Sequence, residues 1–490
     1  MLKERLNNKT LSPFAKKIIE GTFLLTLGTV LSRVLLAVAY IALARILTND
    51  EYGHYGILKS TIDNFLIFAS MGIGLTTTKY ISEYKNTDKE VASSILGTAL
   101  MTVLVLGVII ACVIFFLSDY IALSVLNAPD LRSLLNIVAV IIVLTAFNGI
   151  QNGALLGLQS FKKISIINIF QGLILFLGLC IGGYFYGVPG AIIGNLVATI
   201  SVTLLIQYML REECHKIGLT ISLKKWKSRL KTIYKFALPA SLSTIITAPT
   251  VWILNTMLVN TPNGYSELGI YSAVIVFTIV IQMLNGSISN VLLPIFLSND
   301  TVHSPKKEFF NYFGAWFVAL IIAVPLIMFP EIVGFVLGSK YPPDKIKWIL
   351  SFALFSTLII AHRQGVARDL IMKNKMWLSV FSMGQWALTS CLCFLFLKQY
   401  GSVGFAMSFC IGYIVNLMIF IPFFIYIKIC PKFIFFNINV IFIWLLVIIL
   451  IIINNYFEGY YVRALLSIIT TMVLVINTIK LYKKNASNYP

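Results

Sequence analysis

The chain has 490 residues, of which 58% are hydrophobic and only 12% are charged. Soluble domains have about 45–50% apolar and about 25% charged residues, so this composition excludes both a soluble globular protein and a disordered one. The formal net charge of +19 would suggest a nucleic-acid partner if the protein were soluble. In a membrane protein, the charge must first be placed relative to the bilayer.

Fourteen apolar segments are long enough to cross a bilayer, which requires about 20 mainly apolar residues. We therefore predict an all-α integral membrane protein with short connecting loops. The loops are too short for a separate soluble domain, and the sequence has no phosphate-binding loop of an ATPase. The predicted spans are residues 18–45, 52–79, 91–117, 133–158, 164–186, 188–210, 233–259, 268–297, 309–330, 347–370, 376–397, 401–427, 433–453 and 461–480.

Lysine and arginine residues accumulate in cytoplasmic loops, and this bias predicts the orientation. With the N-terminus inside, and with basic residues at the ends of spans counted in the adjoining loops, 28 of the 38 basic residues lie in cytoplasmic segments, seven lie outside and three lie within spans. We predict that both termini are cytoplasmic and that the chain has no nucleic-acid partner. The densest basic run, residues 224–231, is interpreted as an interfacial linker whose lysines contact anionic lipid. Its alternative role is substrate capture or regulation.

Short motifs recur in the two halves of the sequence. E-x-G-x-Y occurs at residues 51–55 and 267–271, Y-G-x-x-G occurs at 186–190 and 400–404, and Gln171 and Gln385 have a similar spacing of 214. These offsets indicate that spans 1–6 are repeated as spans 7–12, in the same sense, around a central cavity suited to alternating access. The predicted domains are residues 1–212 and 233–428 for the two six-helix bundles, 213–232 for the basic linker and 429–490 for two additional helices.

Few charged residues lie inside the predicted spans, where each costs roughly 2.5–3.5 kcal/mol on insertion scales. Arg33 lies in span 1 and Arg363 in span 10. Arginine stays charged and binds phosphate groups through two hydrogen bonds, so a phosphate or pyrophosphate ligand in the cavity would explain both residues. The alternatives are an ion pair between Arg33 and Asp63, and an Arg363 side chain that extends to the inner surface.

Lys59 and Asp63 lie four residues apart in span 2 and therefore share one helix face. They form either an intrahelical salt bridge that allows the span to insert, or a cavity-lining pair whose Asp63 takes up a proton or sodium ion. Asp63 is the one acidic residue that we place inside a span. Pro249 in span 7 is a candidate for a gating bend, with a static kink as the alternative. His362 is interpreted as a spacer rather than a proton relay.

The sequence does not predict an enzyme. The seven cysteines and four histidines have no metal-site spacing, and the spans contain no pair of carboxylates for acid–base chemistry. We therefore expect no metal and no cofactor, and a proton or sodium gradient as the energy source. A membrane transferase would need clustered acidic or histidine residues, and a drug or cation antiporter would need acidic residues in its cavity. A further alternative is a passive scaffold for a polymer-assembly complex, which would move no lipid.

A family resemblance begins in span 1. Residues 31–35 read L-S-R-V-L and residues 42–53 read A-L-A-R-I-L-T-N-D-E-Y-G. They resemble the opening signature of the bacterial polysaccharide repeat-unit flippases, within the multidrug/oligosaccharidyl-lipid/polysaccharide (MOP) exporter superfamily. The family usually has Leu-Gly where this chain has Leu47 and Thr48. The likeness covers essentially the whole chain and is most specific in spans 1 and 2.

The resemblance implies a function in the bacterial cytoplasmic membrane. Members of the family turn undecaprenyl-pyrophosphate-linked oligosaccharides from the inner to the outer leaflet, where a polymerase uses them for O-antigen, capsule or related polymers. The lipid-linked peptidoglycan precursor flippases of the superfamily also carry Ser-Arg in span 1, which implies that Arg33 contacts pyrophosphate. The resulting hypothesis is that Arg33, with Arg363 and Lys59, holds the pyrophosphate while Asp63 couples transport to an ion gradient. Flipping of a peptidoglycan precursor is the related alternative.

Overall fold

The computed structural model describes residues 13–297, 305–373, 375–456 and 459–487. The chain ends that the charge bias predicts to be cytoplasmic, residues 1–12 and 488–490, lie outside these ranges. Within them, every regular element is a helix, which confirms the predicted all-α class. Long helices are expected here because a bilayer offers no water to satisfy backbone polar groups, and a helix satisfies them internally.

The helices are α1 (Pro13–Ile46), α2 (Asn49–Ser70), α3 (Ile73–Tyr84), α4 (Lys89–Tyr120), α5 (Leu131–Gly157), α6 (Phe161–Ile217), α7 (Trp226–Val259), α8 (Gly264–Leu297), α9 (Pro305–Met328), α10 (Pro330–Leu337), α11 (Pro343–Met372), α12 (Met376–Leu397), α13 (Gly401–Tyr426), α14 (Phe433–Phe436), α15 (Ile438–Tyr456) and α16 (Tyr460–Ser487). Nine stretches of the described chain are long and apolar enough to cross a membrane. Two of these, Phe161–Ile217 and Met376–Tyr426, contain a reversal, and each holds two of the predicted spans. The total of fourteen spans stays a prediction.

The two reversals occur at the same motif of the sequence repeat. Gly187, in the first copy of Y-G-x-x-G, has φ 58° and ψ −138°, and Gly401, in the second copy, has φ 54° and ψ −130°. A side chain rarely tolerates this left-handed backbone, so glycine allows the chain to turn back on itself in each copy. The matching dihedral angles support the duplication that was inferred from the sequence.

The chain forms two compact units. Unit 1 consists of those described residues that lie in Met1–Ile46 and Leu58–Ala248. In it, α1 packs along α6, while α5 contacts α3, α4 and α6. Large apolar side chains such as Phe116 and Leu204 remain exposed on its surface, as expected for helices that face lipid.

Unit 2 consists of Leu47–Ile57 and Pro249–Pro490, again in its described part. Here α11 contacts α8, α9 and α13, and α12 packs on α13. Large aromatic side chains, including Trp316, Trp386 and Phe405, fill the interior. The additional helices α15 and α16 both pack against α9. The domain limits predicted at residues 212, 232 and 428 stay predictions.

Candidate functional site

Arg33 lines a cavity inside unit 1, between α1 and the first half of α6. The cavity has a volume of about 140 Å³. Its lining is rich in hydroxyl and amide groups and comprises Thr29, Ser32, Arg33, Leu36, Asn168, Gln171, Gly172 and Leu175. These groups can donate hydrogen bonds to, and accept them from, a polar ligand beside the guanidinium.

Small residues bring the two walls of this cavity together. A Cβ atom on Gly172 would lie 2.9 Å from the Cα atom of Ser32, so α6 approaches α1 this closely only because residue 172 is glycine. Ser165 on α6 donates a hydrogen bond to the Leu24 carbonyl of α1 at 2.9 Å. Asn168 Nδ2 donates to Thr29 Oγ1 at 3.1 Å, which holds one wall of the cavity in place.

Arg33 itself has no hydrogen bond or ion pair with any residue that the structure describes, and its side chain is exposed. Lys59 Nζ instead pairs with Asp63 Oδ2 at 2.7 Å, within α2. The intrahelical salt bridge is thus the arrangement present, and the alternative in which Asp63 pairs with Arg33 is not. The Lys59 ammonium also lies 5.7 Å from the centre of the Tyr40 ring on α1. Arg33 is therefore available to bind an anion.

Arg363 lines a second cavity, inside unit 2. This cavity has a volume of about 170 Å³ and walls formed by α11, α12 and α13. The Arg363 guanidinium donates to Ser382 Oγ at 3.0 Å, and its buried Nε has no partner among the described residues. The side chain therefore turns toward α12 rather than extending to the inner surface. Most of the other lining residues are apolar, including Ile360, Val366 and Met383.

An amide network holds the acceptor of Arg363 in place. Ser382 Oγ donates to Asn416 Oδ1 at 3.2 Å, and Asn416 Nδ2 donates to Gln385 Oε1 and to the Ser382 carbonyl, each at 2.6 Å. Gln385 is the repeat partner of Gln171, which lines the Arg33 cavity in unit 1. Each unit therefore places a glutamine from the same repeat position near an embedded arginine.

His362 points away from the Arg363 cavity. Its ring is fully buried, accepts a hydrogen bond from Trp444 Nε1 of α15 at 3.2 Å, and stacks on Trp316 of α9 with 4.1 Å between ring centres. Adjacent residues on a helix lie about 100° apart, which explains how Arg363 and His362 face different neighbours. The geometry agrees with a packing role for His362.

Pro249 lies inside the continuous helix α7. The division between the two units falls between Ala248 and Pro249. This position is compatible with a bend that is used in gating, and the gating role stays a prediction. Among the described residues, no group of three or more histidine, cysteine or acidic side chains could hold a metal ion.

A buried polar cluster near the end of α11 was not predicted from the sequence. Arg368 Nε donates to Asn311 Oδ1 at 2.7 Å, and Tyr312 on α9 donates its hydroxyl to the Asp369 carboxylate. All four side chains lie in the interior of unit 2. Asp63 is therefore not the only acid embedded in a span. The position of Arg368 and Asp369 inside the predicted span 347–370 was the signal that could have revealed this.

Comparisons with solved structures identify the fold. The chain is similar to a structure described as the lipid II flippase MurJ in an inward closed conformation, with a TM-score of 0.71 and 15% identity over 94% of this chain and 99% of that one. It is also similar to an inward-facing multidrug resistance MATE family transporter of the MOP superfamily, with a TM-score of 0.62 and 17% identity over 81% of this chain and 94% of that one. A MOP superfamily transporter from Pyrococcus furiosus gives a TM-score of 0.59 and 17% identity over 84% of this chain and 95% of that one.

The chain thus has the fold of the solved MOP superfamily transporters, built from helices that are long and apolar enough to cross a membrane. Residues 18–300, more than half of the chain, match the family model described as polysaccharide biosynthesis protein. The chain belongs to this family. No curated protein matches the chain in sequence.

Proposed function

We propose that the protein is a flippase that moves undecaprenyl-pyrophosphate-linked oligosaccharides from the inner to the outer leaflet of the bacterial cytoplasmic membrane. The observation that carries this proposal is Arg33, an embedded cation without a counter-ion among the described residues, in a cavity lined by hydroxyl and amide groups. A pyrophosphate would supply the missing negative charge. The sugars that follow it need the hydrogen-bonding groups that the same cavity offers.

We assign a different role to each of Arg33, Arg363 and Lys59. Arg33 makes the main pyrophosphate contact, because a guanidinium can bond two phosphate oxygens at once. Arg363 is a second anion contact within unit 2, oriented by Ser382. Lys59 adds positive potential near the Arg33 cavity while it is paired with Asp63. Proton uptake by Asp63 would release Lys59, which makes Asp63 the candidate for coupling to a proton or sodium gradient.

The proposed mechanism is alternating access, with the lipid tail remaining in the bilayer while the polar head crosses inside the protein. Both termini are cytoplasmic in this proposal. Anionic lipid binds the basic residues 224–231, and the polysaccharide polymerase complex receives the product on the outer side. The polymer is O-antigen, capsule or a related polysaccharide.

The second candidate is flipping of a lipid-linked peptidoglycan precursor. It is favoured by the Ser32–Arg33 sequence and by the fold shared with the lipid II flippase MurJ. Both substrates present a pyrophosphate to Arg33, so the sugar portion must distinguish them. A drug or cation antiporter is disfavoured because the Arg33 cavity is lined by a cation and neutral groups.

Reconstitution of the purified protein in vesicles tests the proposal. The probe is an undecaprenyl-pyrophosphate-linked disaccharide with a fluorescent sugar, and its appearance in the opposite leaflet is followed over time. A hydrogen bond to a charged group contributes about 1.5–3 kcal/mol, so Arg33→Gln should slow flipping by about 10- to 150-fold. Arg33→Lys, which keeps the charge but not the paired donors, should give an intermediate rate.

The matched control is Arg132→Gln, which removes an exposed arginine that is paired with Asp119 at 2.6 Å. It should flip the probe at the wild-type rate. If Arg33→Gln also flips at that rate with normal amounts of folded protein, Arg33 does not bind the pyrophosphate. Faster flipping of a lipid-linked muramyl pentapeptide than of the disaccharide would favour the peptidoglycan precursor as the substrate.

A further inference from the structure

One face of α1 and one face of α6 form the walls of the Arg33 cavity. On each helix the lining residues follow the spacing i, i+3, i+4 and i+7, which places them on a single face. These residues are Thr29, Ser32, Arg33 and Leu36 on α1, and Asn168, Gln171, Gly172 and Leu175 on α6. Gln171 therefore lies on the wall of the cavity opposite the α1 face that carries Arg33.

The Gln171 side chain has no hydrogen bond to any residue that the structure describes. Asn168, one turn earlier on the same face, differs in this respect, because its Nδ2 donates to Thr29 Oγ1 at 3.1 Å. Gln171 is exposed and lies within the predicted span 164–186, so both the donor and the acceptor of its amide are free at membrane depth. A polar group at this depth is costly unless it faces a wet cavity or a ligand.

The equivalent glutamine of unit 2 has partners for both of its polar atoms. Gln385 Oε1 accepts a hydrogen bond from Asn416 Nδ2 at 2.6 Å, and Gln385 Nε2 donates to Thr389 Oγ1 at 2.7 Å. The first bond joins α12 to α13, and the second stays within α12. Gln385 is thus a packing residue of unit 2.

Two differences between the repeats explain why Gln171 lacks such partners. With the offset of 214 that relates the two glutamines and the two reversals, Thr389 corresponds to Leu175. By the same offset, Asn416 corresponds to Val202, and both of these side chains are buried. Leucine and valine side chains cannot bond an amide. Unit 1 therefore leaves free the amide that unit 2 uses for its own packing.

We propose that Gln171 is the residue by which the protein distinguishes a sugar-bearing carrier lipid from the bare carrier. The inference rests on the proposed flippase function and assigns one part of the substrate to one residue of the same cavity. Pyrophosphate oxygens accept hydrogen bonds, so they use the donors of Arg33 and offer nothing to the Gln171 carbonyl. A sugar hydroxyl both donates and accepts, and it therefore matches both polar atoms of the amide. Gln171 binds the sugar that is joined to the pyrophosphate.

Binding of two lipids to the purified protein tests this assignment. The probes are undecaprenyl pyrophosphate and the undecaprenyl-pyrophosphate-linked disaccharide, and the ratio of their Kd values measures the preference for the sugar. Gln171→Leu removes both polar atoms and should lower this preference about 3- to 10-fold, the effect of losing one or two hydrogen bonds between neutral groups. The Kd for the bare carrier and the thermal unfolding should stay at the wild-type values, because residue 171 has no partner in the described chain.

The matched control is Gln385→Leu, from the second repeat. This substitution breaks two hydrogen bonds and should lower the thermal stability of the protein. A loss of binding that acts through Arg363 should affect both lipids by the same factor, so the preference for the sugar should remain. Equal preferences in the Gln171→Leu and Gln385→Leu proteins would refute the assignment.

A second variant keeps Gln171 and occupies its amide. Leu175→Thr introduces the hydroxyl that Thr389 supplies four residues after Gln385 in unit 2. The preference for the sugar should fall about two- to fivefold. Leu175→Val has the shape of threonine without the hydroxyl and should keep the preference. If the two variants at residue 175 show the same preference, a free amide at Gln171 does not select the sugar.

The outcomes separate the sugar contact from the proposed function. If Gln171→Leu loses the preference while the wild-type protein does not flip the fluorescent disaccharide lipid, the sugar contact stands and the flippase function fails. If the wild-type protein flips that lipid but binds both lipids with the same Kd, the flippase function stands and the sugar contact is wrong. Binding of neither lipid would overturn both.

Discussion

Replacing Asn416 by leucine tests whether the amide network of unit 2 positions Arg363. Asn416 is fully buried and takes part in three hydrogen bonds with Ser382 and Gln385. Each hydrogen bond contributes about 0.5–1.5 kcal/mol, so the three together contribute about 1.5–4.5 kcal/mol. Leucine has a similar shape, and its burial offsets part of the loss. We expect the free energy of unfolding to fall by about 2 kcal/mol.

The same substitution should weaken ligand binding. Without Asn416, Ser382 no longer has a fixed position, and Arg363 loses the acceptor that orients it. We expect the Kd for the undecaprenyl-pyrophosphate-linked disaccharide to rise about tenfold, which corresponds to about 1.4 kcal/mol. Thermal unfolding in detergent and binding to the purified protein measure the two effects.

A matched substitution elsewhere shows whether the effect is specific. Asn477 Nδ2 donates to the Val473 carbonyl of its own helix at 2.9 Å, so Asn477→Leu removes a purely local contact. Its effect on the free energy of unfolding should stay within about 0.5 kcal/mol, with unchanged binding. If the Asn416→Leu and Asn477→Leu proteins unfold and bind alike, the network does not position Arg363, and the reasoning is refuted.

Two further predictions concern packing. Arg463→Met should lower the free energy of unfolding by about 2 kcal/mol, because the buried Arg463 guanidinium joins α16 to α10 and α15. The control is Arg132→Met, which breaks an exposed ion pair and should lower the free energy of unfolding by less than about 1 kcal/mol. Equal losses in chemical denaturation would contradict this. Gly172→Ala should cost about 1–3 kcal/mol, because the new methyl group meets the Ser32 backbone. The control is Gly149→Ala, where a Cβ atom would meet nothing within 4 Å; this substitution should be neutral or stabilise α5 by up to about 1 kcal/mol. If thermal unfolding shows Gly149→Ala to be less stable than Gly172→Ala, the packing argument is contradicted.

Several features of the site could be read from the chain alone. Lys59 and Asp63 are four residues apart, and helix geometry alone places them side by side. Arg33 and Arg363 stand out because a charge in an apolar run is costly wherever the run is placed. Other contacts could not be anticipated. His362 is adjacent to Arg363, but it belongs to an aromatic cluster with α9 and α15.

The meeting of the two E-x-G-x-Y motifs also needed the folded chain. Their offset in the sequence indicated a repeat, and a repeat alone suggests that each copy occupies the equivalent place in its own half. The structure instead packs Gly53 against Gly269. Sequence similarity records a common local structure, but it carries no information about which neighbour a helix end finally contacts.

The sequence by itself therefore determined the class of this protein: a helical membrane protein with a duplicated core and a few embedded charges. These properties follow from hydropathy, segment length and residue identity, which act locally along the chain. Only the tertiary structure decided which residues these embedded charges contact. It left Arg33 without a counter-ion among the described residues, directed Arg363 to Ser382 and buried Arg368 with Asp369. Such choices depend on how each helix is rotated and how closely its neighbours approach, and small residues far apart in the sequence set that approach.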